Sequence, residues 1–219
     1  MLANKVYLVL LSGGIDSTIA ALKMVERKDC ARMIPVFINY GQKSLEQEWN
    51  SVLKVAENMK RFYGDSIKEF ESPVRIDLGS ENEFGIFNWS KSKLITGNRE
   101  ASDYVENRNM ILISIVASYA ESVKRDDEQA VIVTGFRNEW EDTSPKFVDA
   151  MNGVFKVLKT GVRVEAPIIQ FRDKNELLKA HEKYRQFFDL TWSCYTPLNG
   201  KPCGNCSACI LRQEALESN

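Results

Sequence analysis

The stretch LVLLSGGIDSTIAALKM, residues 8–24, decides the fold of this chain. It begins as an apolar run that is typical of a buried strand, turns at Gly13 and Gly14, and continues with Ile15 and Ile19 at helical spacing. The first amides of a helix have no intrahelical acceptor, and the helix dipole makes the electrostatic potential there positive. A strand, a glycine turn and a helix in this order therefore predict an anion-binding site.

The side chains around this turn favour pyrophosphate over a carboxylate as the anion. Ser12, Ser17 and Thr18 each add a hydroxyl donor to the backbone amides. The Walker pattern is excluded because its Gly-Lys-Ser/Thr ending is absent, and the dinucleotide fingerprint Gly-x-Gly-x-x-Gly does not occur. For the two glycines by themselves, an ordinary strand-to-helix turn remains the alternative interpretation.

Composition and charge exclude several broad classes of protein. The chain has 219 residues, with 29 basic and 30 acidic side chains and a formal net charge of −1, so it is not a general polyanion binder. No run approaches the roughly 18 apolar residues of a membrane span, and no leader pattern precedes the first strand. We therefore expect a cytoplasmic enzyme with no membrane partner and no direct nucleic-acid partner.

Apolar runs alternate with amphipathic segments along the chain. The sequence predicts strands at residues 6–11, 33–39, 73–78 and 130–135, and helices over residues 15–25, 45–56 and 107–124. Near-continuous hydrophobicity in the strands indicates a parallel sheet covered on both faces. The predicted fold class is therefore α/β, with a doubly wound parallel sheet. The polar segment 79–103 is expected to be either a mobile lid or a surface excursion without a role.

Four of the five cysteines are crowded near the carboxyl end. Cys194 is followed by Cys203, Cys206 and Cys209 in a C-x-x-C-x-x-C pattern, which suits a tetrahedral Zn²⁺ site. An iron–sulfur cluster is the competing interpretation, but the closed set of four ligands and the absence of a redox motif favour zinc. Four sulfur ligands leave no position for a water, so the predicted role is structural.

The turn resembles the pyrophosphate loop of the ATP pyrophosphatases, which split ATP between the α and β phosphates and adenylate a substrate oxygen. Further motifs follow in an order that is similar to the 7-cyano-7-deazaguanine synthase family of that superfamily. They are NYGQK at residues 39–43, YVENRNMILISIVASYAES at 104–122, TGFRN at 134–138, PKFVDAMN at 145–152, and TWSCY at 191–195 with its downstream cysteines.

The resemblance implies an adenine nucleotide α-hydrolase-like domain over residues 1–190 and a zinc-binding helical segment over 191–219, with ATP, Mg²⁺ and Zn²⁺ as cofactors. It assigns ATP binding to Leu11, Ser12, Gly13, Gly14, Ile15, Asp16, Ser17, Thr18 and Gly135. It assigns catalysis to Ser12, Asp16, Ser17, Arg108 and Lys174. It assigns substrate binding to Tyr40, Gly41, Gln42, Arg108, Asn109 and Phe147.

Several of these assignments have a plainer alternative. Arg108 is a candidate clamp because a guanidinium matches a phosphate or a carboxylate bidentately, but a surface ion pair at the start of a helix is also consistent with the sequence. Lys174, in FRDKNEL, is expected either to reach a phosphate or to be exposed in the first turn of a helix. Tyr40 and Gln42 either contact a planar base or cap the end of a strand.

For the reaction, the resemblance implies adenylation of the carboxylate of 7-carboxy-7-deazaguanine and displacement of AMP by ammonia, giving the amide. A second ATP would convert the amide to the nitrile. The family stretch that ends in Asp-Cys-Arg-Pro-Glu-Phe is represented here only by EWEDTSPKF, about four residues shorter and without the cysteine and the arginine.

That difference motivates an alternative. A phage or antiviral-defence paralogue would transfer the acyl group to a protein amine and stop at an amide. A tRNA-modifying relative that adenylates a base for thiolation is a further alternative. A homodimer is expected from the resemblance.

Overall fold

The computed structural model describes residues 4–78 and 107–217. The segment 79–103, for which the sequence predicts a lid or a surface excursion, lies outside the described residues. Within the described ranges, no helix has both the length and the apolarity to cross a bilayer.

A parallel sheet forms the centre of the described chain. Its strands are β1 (Asn4–Leu10), β2 (Cys30–Asn39), β3 (Glu69–Phe70), β4 (Val74–Asp77), β5 (Glu128–Val133) and β6 (Val162–Glu165). They lie in the order β3-β2-β1-β5-β6, and β4 pairs with the carboxyl half of β2 where β3 pairs with its amino half. All pairings are parallel, so the predicted fold class is confirmed.

Helices cover both faces of the sheet. They are α1 (Ile15–Val25), α2 (Leu45–Tyr63), α3 (Arg108–Val123), α4 (Pro145–Val157), α5 (Lys174–Ala180), α6 (Arg185–Phe188) and α7 (Ser207–Glu217). One apolar core lies between the sheet and α1, α2, α5, α6 and α7, and a second lies between the sheet and α3 and α4. Both faces of β1 and β2 are therefore buried, which explains their continuous apolar sequence.

Some boundaries differ from the sequence predictions. The strand predicted at 130–135 ends at Val133, so Gly135 lies in the following loop. Strands β3 and β6 were not predicted. β3 has only two residues, and β6 lacks the continuous apolar run of the predicted strands, because the exposed Arg163 lies between the buried Val162 and Val164. Leu53 is 40% exposed and does not belong to the buried face of α2.

The topology places a crevice at the carboxyl ends of β1 and β5. These strands are neighbours, but the helix that follows β1 packs on one face of the sheet and the helix that follows β5 packs on the other. Connections that diverge in this way leave an open space above the strand ends, where α/β proteins bind ligands. The loop at residues 11–14 and the loop at residues 134–144 border this space.

Candidate functional site

The turn at residues 11–14 is held tightly by its neighbours. Gly13 has a φ of +78°, and a Cβ there would lie 2.6 Å from the carbonyl oxygen of Glu48 in α2. The carbonyl oxygen of Gly13 accepts a hydrogen bond of 2.8 Å from the amide of Trp192. Only glycine fits this position, because both the backbone angle and the available space exclude a side chain.

The hydroxyl groups of the turn form a local network. Ser17 Oγ donates to the Gly14 carbonyl at 3.1 Å and accepts from the Ser12 amide at 3.3 Å, and Ser12 Oγ lies 3.1 Å from Ser17 Oγ. Both serines line the crevice. Thr18 is fully buried, and its Oγ1 donates to the Gly14 carbonyl at 2.8 Å. In this structure the Thr18 hydroxyl therefore stabilises the turn, and its contact with an anion stays a prediction.

The first turn of α1 presents unpaired amides. Within the described part of the chain, the amides of Ile15, Asp16 and Ser17 have no recorded acceptor. The side chain of Ile15 is 1% exposed and packs in the core, so only the backbone of this residue can meet a ligand. Three donors at the positive end of a helix match the predicted anion site.

Asp16 connects this turn to two basic residues from distant parts of the chain. Arg137 Nε donates to Asp16 Oδ2 at 2.9 Å, and Lys174 Nζ lies 3.4 Å from Asp16 Oδ1. Lys174 is the first residue of α5, yet its side chain is only 18% exposed. The structure thus places Lys174 beside the turn and not on the exposed surface.

Sequence reasoning did not single out Arg137. The residue follows β5 in the motif TGFRN and is 6% exposed. Its Nη1 donates to the carbonyl of Arg172 at 2.8 Å, and its Nη2 contacts Glu139 Oε1 at 2.6 Å. The sequence offered one signal for a role of Arg137 in the site, its position just after a predicted strand. Only the fold shows that its guanidinium meets the carboxylate of Asp16.

The crevice is a cavity of about 360 Å³ at the carboxyl ends of β1, β2 and β5. Of the predicted site residues it brings together Leu11, Ser12, Asp16, Ser17, Tyr40, Gln42, Arg108, Asn109 and Gly135. It is also lined by Phe37, Glu48, Glu139, Trp140 and Tyr195, which were not predicted.

A second, more open groove of about 660 Å³ lies beside β6. It is lined by Lys5, Lys23, Arg27 and Arg163, but three of these cations form ion pairs with carboxylates: Lys5 with Asp29, Arg27 with Asp29 and Glu165, and Arg163 with Glu165. None of the predicted site residues lines it. The cavity at the turn is therefore the candidate site.

The end of β2 forms the opposite wall of the cavity. Gln42 Oε1 accepts from the Tyr40 amide at 3.0 Å, and Gln42 Nε2 donates to Glu48 Oε2 at 2.9 Å. These contacts support the interpretation of Gln42 as a cap for the strand end. Gly41 has a φ of +87°, which allows the tight turn there. Burial raises the pKa of Tyr40, so its phenol is neutral.

Glu48 places a buried carboxyl group in the cavity wall, and the sequence analysis missed it. Burial raises the pKa of Glu48, although hydrogen bonds from Ser44 and Gln42 act in the opposite direction. Ser44 Oγ donates to Glu48 Oε1 at 2.6 Å. Because each carboxylate oxygen has a further lone pair, Glu48 can accept a hydrogen bond from an N–H group of a ligand.

The remaining predicted residues lie at the start of α3 and in α4. Arg108 is half-buried, with its guanidinium carbon 5.9 Å from the Tyr40 ring centroid, and no ion pair is recorded for it among the described residues. Asn109 Nδ2 donates to Asp142 Oδ2 at 2.8 Å.

Phe147 packs against Phe136, with ring centroids 6.1 Å apart, and does not itself line the cavity. Its expected contact with substrate stays a prediction.

The four carboxyl-terminal cysteines converge. The Sγ atoms of Cys194, Cys203, Cys206 and Cys209 all lie within 4.8 Å of one another. Tetrahedral zinc with Zn–S bonds of about 2.3 Å requires sulfur separations of about 3.8 Å. The Sγ atoms of Cys203 and Cys209 lie 4.0 Å apart. A cluster of several irons would hold its thiolates farther apart. The donor set therefore fits a single zinc ion.

The polypeptide around Cys203 favours its thiolate, whereas burial raises the pKa of Cys194 and of Cys209. The Cys203 amide donates to Cys194 Sγ at 3.3 Å, and the Cys206 amide donates to Cys203 Sγ at 3.4 Å. A hydrogen bond from the Thr196 hydroxyl, together with backbone amides, lowers the pKa of Cys203 to about 6. Thiolates are the form that binds metal.

The cysteine segment is joined to the domain by Arg212 of α7. Its Nη2 donates to the Phe188 carbonyl at 2.7 Å, and its Nη1 donates to Thr191 Oγ1 at 2.8 Å. Trp192, which binds Gly13, also donates from Nε1 to the Cys194 carbonyl at 2.7 Å. The cysteine segment is thus in direct contact with the turn at residues 11–14.

Known proteins resemble this chain over nearly its whole length. The chain matches the family described as queuosine biosynthesis protein QueC over residues 6–219. It is 30% identical to the 7-cyano-7-deazaguanine synthase of Prochlorococcus marinus strain MIT 9301 over 225 residues, covering 99% of this chain and 95% of that protein. It is 31% identical to the synthase of the same name from Pyrococcus abyssi over 237 residues, covering 95% and 91%. The chain therefore belongs to the QueC family.

Gly135 gives a first test of this geometry. A Cβ at Gly135 would lie 2.7 Å from the Ser17 amide nitrogen and 2.8 Å from Ser17 Cα, so Gly135→Ala pushes the loop after β5 away from the turn. We expect a loss of about 1–3 kcal/mol in the free energy of unfolding, measured by urea denaturation. Gly153→Ala is the matched control, because nothing lies within 4 Å of a Cβ there and alanine favours the helix. Equal stability of the two variants would contradict the close approach.

The metal site is tested by elemental analysis of the purified protein. We expect about one zinc per chain, and a loss of most of that zinc in Cys203→Ser, because a tetrahedral site needs all four sulfurs. Cys30→Ala is the control, since Cys30 lies outside the cluster and is buried in the core. Iron with inorganic sulfide in the native protein, or full zinc in Cys203→Ser, would overturn the assignment.

Proposed function

We propose that this member of the QueC family uses ATP to activate the carboxylate of 7-carboxy-7-deazaguanine for reaction with ammonia. The observation that carries the proposal is the turn itself: unpaired amides of Ile15, Asp16 and Ser17, with the serine hydroxyls and Lys174, converge beside one cavity. Relatives of nearly the same length are named 7-cyano-7-deazaguanine synthase, which agrees with this substrate.

The first step transfers AMP to the acid. A carboxylate oxygen attacks the α phosphorus of ATP, the bond to the bridging oxygen breaks, and pyrophosphate leaves with that electron pair. The amides of the turn and the hydroxyls of Ser12 and Ser17 bind the negative charge that develops on the leaving group. Lys174 exchanges its 3.4 Å contact with Asp16 for a phosphate oxygen.

Asp16 would hold Mg²⁺ on the phosphates. Its Oδ1 is buried and accepts no hydrogen bond within the described part of the chain, which suits an oxygen ligand for a hard cation. When bound, Mg²⁺ neutralises part of the phosphate charge.

The second step replaces AMP. Ammonia attacks the acyl carbon, AMP leaves, and the nitrogen releases a proton, giving the amide. With a second ATP the amide oxygen is adenylated in the same way, and loss of AMP and the remaining N–H protons gives the nitrile. Arg108, half-buried beside Tyr40, is the candidate clamp for the acid or the α phosphate, because its guanidinium binds either oxyanion bidentately.

One observation favours a second candidate, in which the acyl group passes to a protein amine and the reaction stops at the amide. The loop after TGFRN is short, and Trp140 in that loop lines the cavity while 49% of it is exposed. An opening bordered by an exposed aromatic ring is suited to admit a polypeptide.

Thiolation of a tRNA base is not favoured. The four clustered cysteines are suited to a metal, and the fifth, Cys30, is buried at the amino end of β2, away from the cavity. Burial also raises the pKa of Cys30 to about 12, so it is not a thiolate at neutral pH. None of the five cysteines lines the cavity as a free nucleophile.

The decisive experiment combines the protein with MgATP, 7-carboxy-7-deazaguanine and ammonium, followed by mass spectrometry of small products and of candidate acceptor proteins. We expect AMP, pyrophosphate and the amide, with nitrile as the final product. Asp16→Asn is expected to reduce AMP formation by about 100-fold or more. Ser114→Ala, an exposed position on α3, is the matched control.

The products distinguish the candidates. Amide as the only small product, with no further conversion by fresh ATP, would favour the truncated chemistry, and a deazaguanine adduct on a protein would identify the second candidate. If no AMP forms with this acid, the proposal is wrong.

A further inference from the structure

We propose that Arg137 is a positioning residue that fixes the carboxylate of Asp16 for the metal ion that accompanies pyrophosphate. The inference rests on the proposed function, because it concerns how the same turn binds its anion. Arg137 does not itself line the cavity, whereas Asp16 does. Any effect of Arg137 on ligand binding therefore passes through the residue that it holds.

The guanidinium of Arg137 is fixed at three points. Nε binds Asp16 Oδ2 at 2.9 Å, Nη1 binds the carbonyl of Arg172 at 2.8 Å, and Nη2 contacts Glu139 Oε1 at 2.6 Å. The side chain is 6% exposed, so its orientation is set by protein contacts and not by solvent. A planar fork held at all three nitrogens has no freedom to rotate, and the carboxylate bound to it is oriented in turn.

This arrangement divides the two oxygens of Asp16 between two tasks. Oδ2 is used by Arg137, while Oδ1 is buried without a hydrogen bond inside the described ranges and has only the longer 3.4 Å contact with Lys174. An oriented carboxylate with one oxygen that accepts no hydrogen bond from the described residues is a suitable single ligand for Mg²⁺ once Lys174 has turned away. Mg²⁺ is bound in proteins by one or two carboxylates and by substrate phosphates.

The local charges exclude simple attraction of the anion as the role of Arg137. Arg137 and Lys174 are balanced by Asp16 and Glu139, so the group is neutral before a ligand binds. Every nitrogen of the guanidinium already meets a protein acceptor, and none is directed to a phosphate. The second cation, Lys174, makes the weaker contact and is the one that can turn to the ligand.

The test measures binding of Mn²⁺, by electron paramagnetic resonance, in the presence of saturating inorganic pyrophosphate. The decisive variant is Arg137→Lys, which keeps the charge but replaces the three-point fork by one ammonium. We expect the dissociation constant for Mn²⁺ to rise by about 10-fold. In the Asp16→Asn background the same substitution is expected to change it by less than about 2-fold, because the ligand that Arg137 positions is absent.

Two further variants control the result. Arg163→Lys is matched in chemistry, because Arg163 also pairs with a glutamate, Glu165, at 3.1 Å, but it lies on β6 away from the cavity. It is expected to bind Mn²⁺ as the native protein does. If Arg137→Lys does not fold, as judged by thermal melting, Arg137→Gln replaces it. Loss of a positive charge alone would strengthen cation binding, so weaker Mn²⁺ binding in Arg137→Gln identifies positioning.

Each other outcome overturns the inference in a distinguishable way. If the native protein does not bind Mn²⁺ with pyrophosphate, both the proposed function and the role of Arg137 fail. If the native protein binds but Arg137→Lys binds equally well, only the role of Arg137 fails. If the substitution weakens binding equally in the native and Asp16→Asn backgrounds, Arg137 acts structurally and not through Asp16.

Discussion

The turn after β1 depends on contact with backbone that arrives from three other parts of the chain. The Trp192 amide binds the Gly13 carbonyl at 2.8 Å, the Glu48 carbonyl fills the space beside Gly13, and Gly135 lies against Ser17. These contacts leave the first-turn amides of α1 unpaired beside the cavity, within the described part of the chain. A site whose donors are oriented before the ligand arrives needs little reorganisation to bind developing charge.

The same contacts join the cysteine segment to the turn at residues 11–14. Trp192 is two residues before Cys194 and donates from its ring to the Cys194 carbonyl, so the backbone that binds Gly13 continues directly into the metal ligands. Arg212 joins the helix after the last cysteine to the carbonyl of Phe188. A metal ion bound by the four sulfurs would therefore stabilise one wall of the cavity as well as the end of the chain.

Features that depend on neighbours in sequence were predictable, and features that depend on distant residues were not. The turn, the cysteine spacing and the continuous apolar strands all lie within short segments. They predicted the fold class, which the parallel sheet confirms, and an anion site at the turn. Arg137 and Asp16 are 121 positions apart, and Glu48 becomes a cavity residue only when α2 packs beside the turn. The burial of Thr18 and its hydrogen bond to the Gly14 carbonyl are likewise properties of the folded loop, which the sequence does not reveal.

Hydrogen exchange at the amides of residues 11–18 tests the central claim most directly. In the native protein, saturating Mg²⁺ and pyrophosphate should slow exchange at Ile15, Asp16 and Ser17, because these amides then gain acceptors that the described protein does not supply. Exchange in α4, on the other face of the sheet, should stay unchanged. Slower exchange beside β6 with no change at residues 11–18 would contradict the assignment of the turn as the pyrophosphate site.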